Sequence, residues 1–291
     1  MTTSRRVLLL GTAATLAGCA FTPDRNHDGP DAPWAAPLRR PVRTAWVLSS
    51  GGLRGFTHVG VLKALQELRL VPDLIVGASV GALVGSMCAS GVDAAQIETL
   101  ALEIQPIGLA RLALGQSENL SGAPIAELVR SKALVPRLER MPQAMACVAT
   151  RRVDGESIAF TAGDVGLAVQ ASAAVEGRFT PVRIRGQQYV DPDWTTPLPV
   201  RIARALGAQR VLAVDATVHL DRTPPGAERF RYEDLRKKVL VDADASFADL
   251  VLKPDFGYWV NMSTEFRQRA IAAGYRDTLA QAAALLRLHA G

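Results

Sequence analysis

The chain has 291 residues, of which 48% are hydrophobic and 21% charged, and its formal net charge is +5. This composition is that of a globular protein with a sizeable core, and the length suits one large α/β domain or two small ones. The positive excess is small and lies in short runs, Arg39-Arg40, Arg151-Arg152 and Lys237-Lys238. Such runs are typical of solvated surface charge, which excludes the dense basic stripe of a nucleic-acid-binding protein.

Residues 1–18 have the pattern of an export signal. Arg5 and Arg6 precede the apolar run Val7–Leu16, which is too short to span a bilayer. The run ends in Leu-Ala-Gly before Cys19, and this box resembles a bacterial lipoprotein signal, in which the cysteine becomes the mature N-terminus and carries lipid. We therefore expect a protein anchored by lipid on Cys19 in the bacterial cell envelope, at a membrane facing the periplasm, the outer membrane included. A plain secretory peptide with an incidental Cys19 is the alternative.

Residues 19–43 are rich in Pro, Asp and Arg and lack periodicity, so they predict a flexible tether between the lipid and a folded domain at residues 44–291. Within that domain Cys88 and Cys147 lie in apolar surroundings, which predicts buried free thiols and leaves a disulfide between them open. No Cys/His cluster has metal-ligand spacing, and we expect neither a metal nor an organic cofactor.

The domain begins with alternating strand and helix patterns. In chain order they predict a strand at Thr44–Ser49, a glycine loop at Ser50–Gly55, a helix at Thr57–Leu68, a strand at Asp73–Val76 and a helix at Ala82–Ala89. Because strands that alternate with helices pair in parallel through helical crossovers, this order predicts an α/β fold with parallel strands.

The rest of the domain continues with helices and strands. Helices are predicted at Val92–Ile104, Ala123–Ala133, Val165–Ala173, Val200–Leu206 and Glu265–Leu288. Strands are predicted at Ala144–Thr150, Ser157–Thr161, Arg210–Asp215 and Leu250–Lys253, with a hairpin at Arg183–Val190. Residues 105–122 are irregular, which makes them a candidate lid or rim.

The segment Gly77-Ala78-Ser79-Val80-Gly81 has the form G-x-S-x-G between an apolar strand and an apolar helix. This pattern is typical of a strand–turn–helix that exposes a nucleophilic serine. The glycines are needed because a side chain at Gly77 or Gly81 would crowd the tight turn. Taken alone, Ser79 fits a helix N-cap as well as a nucleophile.

The glycine loop Ser50–Gly55 is the candidate oxyanion hole. Its adjacent glycines leave backbone N–H groups bare, and the helix start adds a partial positive charge. In a parallel sheet, this loop and the serine turn both lie beyond the carboxyl ends of their strands. The loop lacks the spacing of a nucleotide-binding motif, so phosphate is a poor fit, and a tight turn without a ligand is the alternative.

Two residues are candidates for the base that takes the serine proton. His219 follows the predicted strand 210–215, which suits the Ser–acid–His order of an α/β-hydrolase. Asp191 follows the apolar residues 188–190, and a carboxylate is able to act as base when partial burial raises its pKa. His289, near the C-terminus, is expected to be a surface helix residue.

Four sequence blocks, in order, resemble the patatin-like phospholipases, and the similarity runs from about Thr44 to about Leu279. The blocks are SGGLRGFTHVGVLKALQEL, LIVGASVGALVGSMCASG, AVQASAAVEGRFTPV and YVDPDWTTPLPV. The resemblance implies a three-layer α/β/α fold with a mostly parallel central sheet, and a serine acyl-hydrolase that acts on lipid acyl esters.

The resemblance also implies the site residues. Ser79 is the nucleophile and Asp191 the base of a Ser–Asp dyad without histidine, so that His58 and His219 are structural. The oxyanion loop is supplied by four consecutive residues, Gly51, Gly52, Leu53 and Arg54.

The chain departs from the family pattern at two places. Where the family has three glycines at the start of the loop, this chain has Ser50 at the first position. Where the family has Asp-Gly-Gly or Asp-Gly-Ala at the base, this chain has Asp191-Pro192-Asp193. Proline fixes φ and removes an N–H, while Asp193 raises the pKa of Asp191 by like-charge repulsion. Two alternatives follow, a catalytically weak or inactive lipoprotein of this fold that acts as a binding module, and a His-dependent α/β-hydrolase.

Overall fold

The computed structural model describes residues 25–112 and 120–290. The predicted signal peptide and Cys19 lie outside the described residues. The strands are β1 Thr44–Leu48, β2 Leu74–Ala78, β3 Arg111–Leu112, β4 Leu120–Ser121, β5 Ala144–Arg151, β6 Ser157–Phe160, β7 Val182–Ile184, β8 Gln187–Val190, β9 Arg210–Val214 and β10 Leu250–Leu252. The helices are α1 Phe56–Glu67, α2 Val80–Ala89, α3 Ala94–Glu103, α4 Ala123–Lys132, α5 Val165–Ser172, α6 Val200–Ala205, α7 Arg231–Ala245, α8 Thr264–Leu279 and α9 Ala282–Ala290.

The main sheet has eight strands in the order β10-β9-β1-β2-β5-β8-β7, with β6 paired to β5. The five strands from β10 to β5 run parallel, β6 and β8 pair antiparallel with β5, and β7 pairs antiparallel with β8. Across the described residues, no helix is both long and apolar enough to span a bilayer. The predicted α/β architecture with a mostly parallel sheet is confirmed.

Helices cover both faces of the sheet. Trp46 and Leu48 of β1 belong to one core cluster with α1 and α2, while Ala45 and Val47 belong to a second cluster with α6 and Val241 of α7. Successive side chains of a strand point to opposite faces, so β1 is buried on both sides. A strand that is buried on both sides has a continuous apolar sequence rather than an alternating one, and Thr44–Leu48 has such a sequence.

The predicted helix at 265–288 is wrong as a single element. It is interrupted between α8 and α9, where Gln281 donates its N–H to the carbonyl of Thr278. The break turns α9 so that Leu285 is buried and Trp46 Nε1 donates to His289 Nε2 at 3.0 Å. His289, expected at the surface, is therefore half-buried against the core.

Helix α7 has no counterpart among the predicted elements. Only Val241 and Asp244 of its fifteen residues are buried. A helix with so narrow a buried face lacks the apolar periodicity on which sequence prediction depends.

Residues 25–43 are not a free tether. The Trp34 N–H donates to the Ala162 carbonyl at 3.1 Å, and Thr161 Oγ1 both accepts from the Ala36 N–H and donates to its carbonyl. Ala32 and Val42 are buried. These contacts satisfy backbone groups that a tether would leave to water, so the folded unit begins well before Thr44.

Helices α1 and α8 approach each other closely at two glycines. A Cβ atom at Gly60 would lie 1.9 Å from the carbonyl oxygen of Ile271, and one at Gly274 would lie 2.1 Å from that of Thr57. Because α1 carries the glycine loop at its start, this contact holds the loop against the C-terminal part of the chain.

Gly60→Ala is expected to lower the free energy of unfolding by about 1–3 kcal/mol, because the added methyl group forces α1 and α8 apart. Urea denaturation followed by circular dichroism measures the effect. The matched control is Gly29→Ala, since a Cβ at Gly29 has no atom within 4 Å. Equal stability of the two variants would contradict the close packing of these helices.

Candidate active site

Ser79 forms the turn between β2 and α2 with φ 54° and ψ −120°. A non-glycine residue at positive φ is strained by about 1–3 kcal/mol and persists where its surroundings hold it. Ser79 is held by Ser172, whose Oγ accepts the Ser79 N–H at 2.8 Å and donates to the Val148 carbonyl. Although Ser79 is the N-cap residue of α2, its side chain makes no capping hydrogen bond. The hydroxyl is therefore free for another partner.

Glycine is required at two positions of the turn because neither has room for a side chain. A Cβ atom at Gly77 would lie 2.5 Å from backbone atoms of Ala82, and one at Gly81 would lie 2.2 Å from the carbonyl oxygen of Leu48. The second contact also places the start of α2 directly against the end of β1, where the glycine loop begins.

The partner of the Ser79 hydroxyl is Asp191. Ser79 Oγ donates to Asp191 Oδ2 at 2.5 Å, and both residues are buried. Strand pairing explains this contact, because Ala78 of β2 is opposite Val148 of β5 and Val190 of β8 is opposite Thr150. Ser79, which follows β2, and Asp191, which follows β8, are therefore both level with Ala149, on opposite sides of β5.

Asp191 has the electrostatic setting of a base. Burial raises its pKa to about 7, and the Asp193 carboxylate adds to the rise, while hydrogen bonds from Ser79 and from the Asp193 N–H and the charge of Lys237 oppose it. A carboxylate with a pKa near neutrality takes and returns a proton readily at physiological pH.

Pro192 is compatible with this geometry. It begins a short 3-10 helix, Pro192–Trp194, in which Asp191 is the N-cap. Proline suits the first helical position because the N–H there has no helical acceptor. The Asp193 N–H donates instead to Asp191 Oδ1 at 2.9 Å and orients the carboxylate.

The two departures from the family pattern contact each other. Ser50 Oγ donates to Asp193 Oδ1, and Lys237 Nζ donates to Asp193 Oδ2 at 2.5 Å. Ser50 also donates its N–H to the Pro197 carbonyl at 2.8 Å. The glycine loop and the Asp191 segment are thus tied together, with the Asp193 charge balanced by Lys237. The sequence did not assign a role to Lys237, since nothing in its local pattern points to Asp193.

The glycine loop presents backbone donors. Gly51 and Gly52 have φ of 156° and 54°, and Gly52–Gly55 form a 3-10 helix. Within the described part of the chain, the N–H groups of Gly51, Gly52 and Leu53 have no acceptor, whereas the Arg54 N–H donates to the Gly51 carbonyl at 3.0 Å. Of the four residues expected in the oxyanion loop, Arg54 therefore differs from the other three, because the helical turn already uses its N–H.

The Arg54 side chain ties the loop to residues 256–258. Its guanidinium donates to the carbonyl of Gly257 at 3.1 Å and to that of Tyr258, and lies over the Phe256 ring at 5.2 Å. The side chain is buried and holds the loop from the side opposite Ser50.

Neither His58 nor the candidate base His219 is hydrogen-bonded to Ser79. His58 is buried, and burial lowers its pKa to about 4, so the neutral ring donates from Nε2 to the Ser49 carbonyl at 2.9 Å and supports the glycine loop. His219 Nε2 lies 3.4 Å from the carbonyl of Pro254. The structure thus brings Asp191, and not His219, to the Ser79 hydroxyl.

Cys88 and Cys147 are free thiols, and burial raises the pKa of Cys88 to about 11. In the described ranges, no three His, Cys, Asp or Glu side chains lie close enough to hold a metal ion. The chemistry that this site offers is therefore that of a serine, a carboxylate and backbone N–H donors.

A model of the family described as patatin-like phospholipase matches residues 46–204. This range contains the glycine loop, Ser79 and Asp191 and covers more than half of the chain. The chain belongs to the patatin-like phospholipase family. Its layered α/β architecture is the patatin fold.

Several known proteins are similar to this patatin-like chain. An uncharacterized NTE family protein of Mycobacterium tuberculosis is 31% identical over 176 residues, which are 59% of this chain and 48% of that protein. The Lysophospholipase NTE1 of Saccharomyces cerevisiae is 28% identical over 184 residues, 61% of this chain and 11% of that enzyme. The chain thus matches about half the length of the mycobacterial relative and a small part of the yeast enzyme. Among solved structures, VipD from Legionella pneumophila has a TM-score of 0.49 and 16% identity, over 89% of this chain and 71% of that one.

The reactivity of Ser79 toward a fluorophosphonate probe is expected to rise with pH through about 7, because Asp191 must lose its proton before it accepts that of Ser79. In Asp193→Asn the inflection is expected at lower pH, since a neighbouring negative charge is removed. Labelling rates measured across pH test both points.

The control for this titration is His219→Ala, whose inflection is expected to match the wild type. An inflection that moves in His219→Ala and stays in Asp193→Asn would show that the histidine, rather than Asp191, controls Ser79.

Proposed function

We propose that the protein is a serine acyl-hydrolase that cleaves the acyl esters of lipids, with Ser79 as nucleophile and Asp191 as general base. The observation that carries the proposal is the hydrogen bond from Ser79 Oγ to the buried Asp191 carboxylate. The substrate class is supported by the family, described as a phospholipase, and by a relative named lysophospholipase.

The reaction begins when Asp191 takes the Ser79 proton as the serine oxygen attacks the ester carbonyl. The carbonyl oxygen becomes an oxyanion, which accepts hydrogen bonds from the free N–H groups of Gly51, Gly52 and Leu53. Losing one such donor typically lowers the rate by a factor of about 100 to 1,000. Because these donors are backbone groups held by Ser50, His58 and Arg54, no reorganisation is needed during the reaction.

Collapse of the tetrahedral intermediate expels the alcohol, which takes its proton from Asp191, and leaves the acyl group on Ser79. Water then attacks this ester, with Asp191 again as base, and releases the fatty acid. One carboxylate serves both half-reactions because its raised pKa suits both the gain and the loss of the proton.

Hydrolysis of a short-chain p-nitrophenyl ester by purified variants tests the assignment. Ser79→Ala is expected to abolish activity, and Asp191→Asn to lower kcat by about 100- to 10,000-fold, as expected for loss of a general base. His219→Ala is expected to keep the wild-type kcat. An inactive His219→Ala beside an active Asp191→Asn would overturn the dyad in favour of a His-dependent hydrolase. Wild-type protein that neither hydrolyses esters nor labels with a fluorophosphonate would favour a non-catalytic binding module.

The protein is further proposed to be a lipoprotein of the bacterial envelope, held by lipid on Cys19. The support is the sequence of residues 1–19, with its two arginines, short apolar run and Leu-Ala-Gly-Cys box. Such an anchor would place the site beside its lipid substrates.

Cells fed an alkyne-labelled fatty acid are expected to incorporate the label into the wild-type protein. Cys19→Ser is expected to lose the label, because the acceptor thiol is gone, while Cys88→Ser keeps it. Equal labelling of the wild type and Cys19→Ser, or none in either, would contradict the anchor.

A further inference from the structure

Helix α7 presents an apolar stripe to solvent. Tyr232, Leu235 and Val239 are 77%, 42% and 68% exposed. Their spacing places them on one face, and the buried residues Val241 and Asp244 lie on the other side of the helix. A typical surface helix buries its apolar stripe and exposes its polar face, whereas α7 exposes its apolar stripe.

Exposed apolar side chains also lie in the loop that follows β10, where Trp259 and Val260 are 47% and 42% exposed. This loop packs against α7, because the Phe230 ring contacts the Trp259 ring at 6.2 Å between centroids and the Tyr258 hydroxyl donates to Asp234 Oδ2 at 2.6 Å. The exposed apolar residues of the helix and the loop, Tyr232, Leu235, Val239, Trp259 and Val260, are called here the α7 surface. Exposed apolar side chains on packed neighbouring elements are the kind of surface that takes part in interactions.

Positive charge borders the α7 surface. Residues 229–239 carry five basic and two acidic side chains, and two of the bases are paired, Lys237 with Asp193 and Lys238 with Asp242. Arg231 and Arg236 are exposed on either side of the stripe, and Arg236 also lies over the Trp194 ring at 5.1 Å. Apolar and aromatic side chains flanked by arginine complement a layer of anionic headgroups over acyl chains.

The elements that carry the α7 surface contact two segments of the active site. Lys237 of α7 binds Asp193, two residues from Asp191. In the loop after β10, the carbonyls of Gly257 and Tyr258 hold Arg54 of the glycine loop. Helix α7 and this loop are therefore packed against the segments that carry the base and the oxyanion donors.

We propose that the α7 surface docks on a lipid bilayer that contains anionic lipids and brings the active site to its substrates. The proposal rests on the proposed function, in that a lipid ester is the substrate of the adjoining site. Tyr and Trp are enriched where protein meets the membrane–water interface, since one end of each ring is apolar and the other polar. A second copy of the chain fits the surface less well, because a twofold contact would bring the same arginines together.

Vesicle co-sedimentation tests the docking without hydrolysis. The full chain carries Ser79→Ala and Cys19→Ser throughout, so that neither turnover nor a lipid on Cys19 affects the comparison. Vesicles of phosphatidylcholine alone are compared with equimolar phosphatidylcholine and phosphatidylglycerol. In this background, Val239→Asp places a charge in the stripe. The matched control is Val71→Asp. Val71 is 64% exposed and precedes β2, so it lies at the amino-terminal ends of the parallel strands, whereas Ser79 follows the carboxyl end of β2.

The background protein and Val71→Asp are expected to bind phosphatidylglycerol vesicles at least about tenfold more tightly than phosphatidylcholine vesicles. Val239→Asp is expected to lose at least about tenfold of that affinity, because a charge is driven into the acyl region. Arg231→Ser with Arg236→Ser is expected to remove the preference for phosphatidylglycerol. Circular dichroism and thermal unfolding show that each variant is folded.

Equal binding of Val239→Asp and Val71→Asp would overturn the proposal, as would equal binding to the two vesicle types. So would a dimer in sedimentation equilibrium that Val239→Asp dissociates, since the occupant would then be a second copy. Binding is scored on protein that is unable to hydrolyse esters. If the background protein fails to bind vesicles while the wild type hydrolyses esters, the docking alone is contradicted. If the background protein binds vesicles while the wild type does not hydrolyse esters, the proposed function alone is contradicted.

Discussion

The hydrogen bond between the Ser79 hydroxyl and the Asp191 carboxylate joins the ends of two strands that are separated by a third. It forms because β2 and β8 both pair with β5 in registers that bring residues 79 and 191 to the same level. Every supporting contact of the site acts on one of these two residues or on the loop beside them. Ser172 holds the strained turn, and the Asp193 N–H orients the carboxylate.

Ser50 and Asp193 both depart from the family pattern, and in the structure their side chains are hydrogen-bonded to each other. A glycine at position 50 would keep the backbone hydrogen bond to Pro197 but would have no side chain to donate to Asp193, as Ser50 does. A carboxylate two residues from the base would be expected to keep Asp191 protonated, and Lys237 offsets that charge. Burial, together with the Asp193 charge, raises the pKa of Asp191 to about 7, and the charge of Lys237 opposes the rise.

The parts of the fold that were predictable are those with a strong local pattern. Buried strands such as Thr44–Leu48, and the strand–turn–helix around Ser79, follow from apolar runs and from glycines that leave no room for a side chain. Helix α7 was missed because its buried face is narrow, and the interruption after α8 because packing of Leu285, not local sequence, decides it. Which N–H groups of the glycine loop are free was unpredictable for a different reason. The 3-10 turn that uses the Arg54 N–H leaves no mark in the local sequence.

The central claim is that Ser79, activated by Asp191, carries the acyl group during turnover. The most direct measurement is rapid acid quenching of the enzyme during hydrolysis of an ester, followed by mass spectrometry of its peptides. The account predicts an acyl adduct on the peptide that contains Ser79, at that residue, and its absence in Ser79→Ala. An adduct on another residue, or turnover by the Ser79→Ala protein, would contradict it.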